Sequence, residues 1–83
     1  MVFTAHTKIR EEKFGAVIFE TLKEKIFITN RTGKDILNLL QKGSTLEEIV
    51  DTLVNSYSAP ITNIRNDVTN FINQLKDNSI LTR

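Results

Sequence analysis

The stretch from Lys25 to Leu40, KIFITNRTGKDILNLL, constrains the fold of this chain more than any other. A short apolar strand runs into Asn-x-Thr-Gly, and an amphipathic helix follows at once, so a strand and a helix must lie side by side. Two more helical patterns come after it, with no obvious strand until the last residues. That order places a small sheet beside a helical bundle, an α+β arrangement. Eighty-three residues hold one domain with one modest core, so the chain is read as a single unit over 1–83.

The sheet is read from the residues before Lys25. Residues 1–7 carry no pattern, and 1–6 are expected to fray. A weak, mostly charged strand is expected from Thr7 to Lys13, with Ile9 as its aliphatic anchor. Gly15 opens a β-branched and aromatic run from Ala16 to Glu20. Leu22-Lys23-Glu24 separates that run from the strand Lys25 to Thr29, a spacing that suits a hairpin. Neither run alternates strictly, because Val17-Ile18-Phe19 and Ile26-Phe27-Ile28 are consecutive apolar triplets. Both faces of the sheet are therefore partly apolar, and helices can cover only one. An edge is left open as well.

Asn30 is placed to cap a first helix over Arg31 to Gln41, with Ile36, Leu37, Leu39 and Leu40 as its buried stripe and Gly43 as its stop. Thr45 with Glu48 spells a capping box for the second helix, as does Ser44 with Glu47 one residue earlier. Leu46, Ile49, Val50, Leu53, Val54 and Tyr57 follow at helical spacing. Pro60 suits the first position of the third helix. Ile61, Ile64, Val68, Phe71, Ile72 and Leu75 line that helix, and Asn78 is expected to end it in the left-handed conformation. Ile80-Leu81 then covers the core or forms a last short strand.

Catalytic chemistry finds no foothold. Cysteine is absent, which removes disulfides and thiolate metal sites and suits the cytosol. His6 is the only histidine and has no carboxylate at useful spacing, so it lacks the positioned partner that acid–base catalysis needs. Glu47-Glu48 is accounted for by helix capping, and Glu11-Glu12 by a solvated face. Asp67 is read as a local salt bridge with a helix neighbour rather than a site residue. The scattered glycines make no phosphate-binding loop. No enzyme, cofactor or metal is expected. The start, MVFTAHTKIREEK, turns polar too soon for an export signal, and no apolar run is long enough to span a membrane, so a cytoplasmic setting is expected.

Two binding readings remain. Three helices with strands nearby are similar to a winged helix-turn-helix, which would place the third helix in the major groove of DNA. Net charge is only +1, and the third helix sets Arg65 and Lys76 against Asp67 and Asp77. A neutral recognition helix lacks the phosphate contacts that dominate DNA affinity. Peptide binding fits better: KIFIT offers an edge that can accept another strand, beside a helix with an apolar flank. Ile61, Val68 and Ile72 form that flank, bordered by Arg65, Thr69, Asn73 and Lys76. The plain alternative is that every one of these apolar residues is core.

The order of strand, N-x-T-G, I-L-x-L-L, G-S-T-L-E-E-I-V-x-x-L, D-V-x-x-F-I-x-x-L and a closing I-L resembles the PqqD-like family, also known as RiPP precursor peptide recognition elements. RiPPs are ribosomally made peptides that enzymes later modify. The resemblance runs from about Gly15 to Leu81, and Asn78-Ser79 departs from the glycine common before the closing apolar pair. It implies a winged-helix-like fold: a three-stranded N-terminal antiparallel sheet followed by three helices. It also implies binding of a precursor's leader segment by strand addition, without catalysis, and presentation to a leader peptidase or other modifying enzyme. By this resemblance Lys25, Ile26, Phe27, Ile28 and Thr29 supply the edge, and Arg65, Val68, Thr69, Ile72 and Asn73 the helical wall. Lasso peptide biosynthesis is the expected setting, with quinone-cofactor and mycofactocin maturation as the others.

Overall fold

A computed structural model describes residues 1–82. Three strands, β1 (Thr7–Glu12), β2 (Gly15–Glu20) and β3 (Lys25–Asn30), precede three helices, α1 (Arg31–Gln41), α2 (Leu46–Ser56) and α3 (Ile61–Asp77). The sheet is antiparallel in the order β1-β2-β3. Its register sets Ile9, Ile18 and Phe27 abreast on one face and Arg10, Val17 and Ile28 abreast on the other. The first set faces the helices. This explains the consecutive apolar residues of β2: as the central strand it buries side chains on both faces, Ala16 and Ile18 inward and Val17 outward. Phe19 on the outer face lies under the Arg10 guanidinium, 5.5 Å from its ring centroid.

The β2–β3 turn is held by a buried carboxylate. Glu20 is 1% exposed. Its two oxygens accept the backbone N–H groups of Leu22 at 3.1 Å and Lys23 at 2.8 Å. No short sequence pattern announces this role, and it fixes where β3 starts.

The helices begin and end on local chemistry. Asn30 caps α1 by accepting the Gly33 N–H at 3.0 Å. At its other end Gly43, at φ +84°, donates to the Leu40 carbonyl while Ser44 donates to that of Leu39, the paired bonds of a Schellman stop. Thr45 and Glu48 form the full capping box of α2. Pro60 sits at the N-cap of α3 rather than its first position, one residue earlier than the sequence pattern predicts. The stop of α3 also differs. Asn78 stays near the right-handed region at φ −97°, and Ser79 takes the left-handed position at φ +62°. With Ser79 there, the Ile80 N–H reaches the Leu75 carbonyl at 2.9 Å. The geometry demands that residue, whatever the intrinsic preference of asparagine.

Ile36, Leu37 and Leu40 of α1, Ile49, Val50 and Leu53 of α2, and Ile64, Val68, Ile72 and Leu75 of α3 meet the inner sheet face in one core. Ile80 and Leu81 close it, each about as buried as the centre, and Leu81 also bridges Phe3. The expected fraying of residues 1–6 does not describe the structure. Thr4 donates to the Ile80 carbonyl at 2.9 Å and Thr82 to that of Val2 at 2.8 Å, a pairing between the two chain ends. No helix among the described residues is long and apolar enough to cross a membrane.

Candidate functional site

β3 is the last strand of the sheet, so one side of its backbone is unpaired over six residues. That is an edge of about 20 Å at the rise of a β-strand. Nothing blunts it: it holds no proline, and its one charge, Lys25, sits at the start. Phe27 and Thr29 are half-buried and point toward the helices, whereas Ile26 and Ile28 are 64% and 73% exposed on the outer face.

A groove runs between this edge and α3. One depression, about 190 Å³, is lined by Phe27, Ile28 and Thr29 from β3 and by Phe71, Gln74, Leu75 and Asn78 from α3, over Ile18 and Ile80. A second, about 280 Å³, continues it past Thr29 and Phe71 to Asn30, Thr32, Gly33, Ile36 and Asp67. Thr29 and Phe71 stand between the two. Gly33 makes this approach of α1 to β3 possible: a Cβ there would lie 1.8 Å from Thr29 Oγ1.

The wall of α3 is the face Asp67, Phe71, Gln74 and Asn78, spaced i, i+4, i+7 and i+11. Of the helical residues expected from the sequence, Arg65, Val68, Thr69, Ile72 and Asn73, none lines either depression. Residues two apart on a helix point about 160° from each other, so Arg65 and Thr69 flank the side away from Asp67 and Phe71. Arg65 faces α2, where Glu47 engages both its terminal nitrogens, one at 2.9 Å. This pairing holds the Glu47 carboxyl below the usual carboxylate range. Asn73 is exposed and lines neither depression. Val68 and Ile72, 0% and 4% exposed, are core and support the wall from behind. Lys25 and Ile26 contribute to the edge as backbone, with Ile26 turned to the outer face.

Asp67 also departs from expectation. The predicted salt bridge is absent: its carboxylate has no hydrogen bond or ion pair among the described residues. It is the one charged residue lining the two depressions. Among the described residues no group of His, Asp or Glu is arranged to hold a metal ion. The groove offers backbone donors and acceptors, apolar surface and one free carboxylate.

Known structures share this architecture. TbiB1, in complex with the TbiA(beta) leader peptide, superposes with a TM-score of 0.92 at 23% sequence identity, over 99% of this chain and 95% of that one. A lasso peptide synthetase B1 complexed with the leader peptide superposes with a TM-score of 0.87 at 18% identity, over 95% of this chain and 93% of that one. At these identities the likeness is one of fold. No curated protein sequence matches the chain. Its sequence does match the family model for coenzyme PQQ synthesis protein D, over residues 15–81, and the chain belongs to that PqqD family.

Proposed function

We propose that this protein binds the leader segment of a ribosomally made precursor peptide by strand addition to β3. The observation that carries this reading is the unblunted β3 edge running beside an apolar groove. A strand laid there hydrogen-bonds to β3 through its backbone and drops alternate side chains between β3 and α3. Both similar structures described above are complexes with leader peptides, which supports the reading. The setting is lasso peptide biosynthesis, in the cytoplasm, and the occupant's core segment is presented to a leader peptidase or another modifying enzyme. The domain itself carries no catalysis. DNA binding is disfavoured by charge, since α3 sets Arg65 and Lys76 against Asp67 and Asp77, and Arg65 pairs with Glu47.

The test is a titration of the labelled protein with the leader of a precursor encoded beside it, followed by amide chemical shifts. Shifts should concentrate on Lys25–Asn30 and on Phe71, Gln74 and Asn78. The precursor's mass should stay unchanged until a partner enzyme is added. Shifts confined to α1 and α2, or a mass change with the domain alone, would refute the proposal.

A further inference from the structure

We infer that Asp67 selects a cationic side chain, lysine or arginine, in the bound peptide; the inference rests on the strand-addition reading above. In a strand paired with β3, alternate side chains point to the inner sheet face, abreast of Phe27 and Thr29. The side chain abreast of Phe27 enters the depression lined by Phe71, Gln74, Leu75 and Asn78, which holds no charge. The side chain abreast of Thr29, two residues away, enters the depression that Asp67 lines with Asn30 and Thr32. The groove therefore asks for an apolar residue and, two positions along, a donor for a carboxylate.

The cations of this chain nearest in sequence to Asp67, Asn30 and Thr32 are committed elsewhere. Arg31, at the start of α1, donates to the Lys13 carbonyl at 2.9 Å, and Lys34 donates to that of Glu12 at 3.3 Å. Both reach to the β1–β2 hairpin. Arg65 is held by Glu47. Asp67 is left exposed and without a partner among the described residues. An incoming ammonium or guanidinium gains a charge-assisted hydrogen bond there without breaking an existing one. A plain structural role, compensating the N-terminal dipole of α1, predicts no preference in the peptide.

The pattern also reports strand direction. β3 runs from Phe27 toward Thr29, so an antiparallel peptide reads cation-x-apolar from its N terminus, and a parallel one reads apolar-x-cation.

The experiment selects binders from a displayed random dodecapeptide library against the wild-type protein and against Asp67→Asn, an isosteric change at an exposed site. Circular dichroism checks that both fold alike. Wild-type selections should enrich lysine or arginine two positions from an apolar residue, and Asp67→Asn selections should lose that enrichment. A synthetic peptide from the wild-type pool should bind Asp67→Asn about tenfold more weakly. Its Lys→Met variant should bind both proteins equally. Peptides that shift β3 amides yet show no cation preference, or bind both proteins alike, overturn the inference and leave strand addition standing. Selected peptides that avoid β3, or no enrichment at all, count against both.

Discussion

Replacing Gly33 with alanine tests the contact on which the groove is built. A Cβ at that position would meet Thr29 Oγ1 at 1.8 Å and both Thr29 carbons, Cβ and Cγ2, at 2.9 Å. Threonine is stiff at χ1, so relief requires either a poor rotamer at Thr29 or a shift of α1 away from β3. The rotamer costs about 0.5–1.5 kcal/mol, and overpacking at a filled contact costs about 1–3 kcal/mol. Against this, alanine in a helix gains about 1 kcal/mol over glycine. The net expectation for Gly33→Ala is a loss of about 1 kcal/mol. Urea denaturation of Gly33→Ala, Thr29→Ala and the double variant separates the terms. In the double variant the Thr29 Oγ1 and Cγ2 are gone and only the 2.9 Å approach to the Thr29 Cβ remains, so most of the clash is relieved, and the two changes couple by about 1–3 kcal/mol. Leader binding should weaken in Gly33→Ala, because Thr29 lines both depressions. A Gly33→Ala protein more stable than wild type, with the cycle additive, would show that α1 does not press on Thr29.

Two further outcomes follow from the helix ends. Ser79→Gly should stabilise the fold by about 0.5–1 kcal/mol, raising Tm by about 2–8 °C, because a left-handed conformation strains a residue with a Cβ; a lower Tm would show that Ser79 is not strained at φ +62°. Glu47 and Glu48 are held below the ordinary value of 4.5, Glu47 by the Arg65 hydrogen bond and Glu48 by those of Thr45. Since their folded pKa values are depressed, the stability they add is present above about pH 4.5 and is lost as pH falls through the folded values. The double variant Glu47→Gln/Glu48→Gln should therefore show a flatter decline of Tm between about pH 5 and pH 3 than wild type; an unchanged decline counts against both contacts.

Much of the fold is legible in the sequence because its signals are local. Asn30, Gly43 and the Thr45–Glu48 box act within a few residues of themselves, and each does what its spacing implies. The misses have a common physical form. Pairing of residues 2–4 with 80–82 joins opposite ends of the chain, and no local pattern encodes it. The exchange of Asn78 for Ser79 follows from which carbonyl Ile80 must reach once it is buried, a tertiary demand that overrides the preference of asparagine for the left-handed region. On α3 the period of apolar residues gives the helix but not its rotation relative to β3, and both flanks carry polar side chains of similar chemistry. The sequence therefore offers Arg65, Thr69 and Asn73 as readily as Asp67, Gln74 and Asn78, the residues that line the depressions. One contrary signal was present for Asp67. Its helix neighbours at three and four residues are Asn63, Ile64, Asn70 and Phe71, and none of them can form a salt bridge.

The two edges of the sheet differ, and the difference bears on what the fold is for. β1 reads Thr7-Lys8-Ile9-Arg10-Glu11-Glu12, with charges of both signs at 8, 10, 11 and 12 and an Arg10–Glu12 ion pair at 2.6 Å. Such an edge resists pairing with a passing strand, because an incoming chain would have to accommodate or displace charges of both signs. β3 has no such protection along Ile26-Phe27-Ile28-Thr29, and its exposed isoleucines make it a liability for any protein that leaves it bare. A small domain that protects one edge and leaves the other open does not lack the means of protection. The open edge is also the one beside the groove, with Phe71 half-buried at its centre where a fully packed core residue would leave no room. Edge and groove together are what a fourth strand needs: backbone partners on one side and a place for every second side chain below.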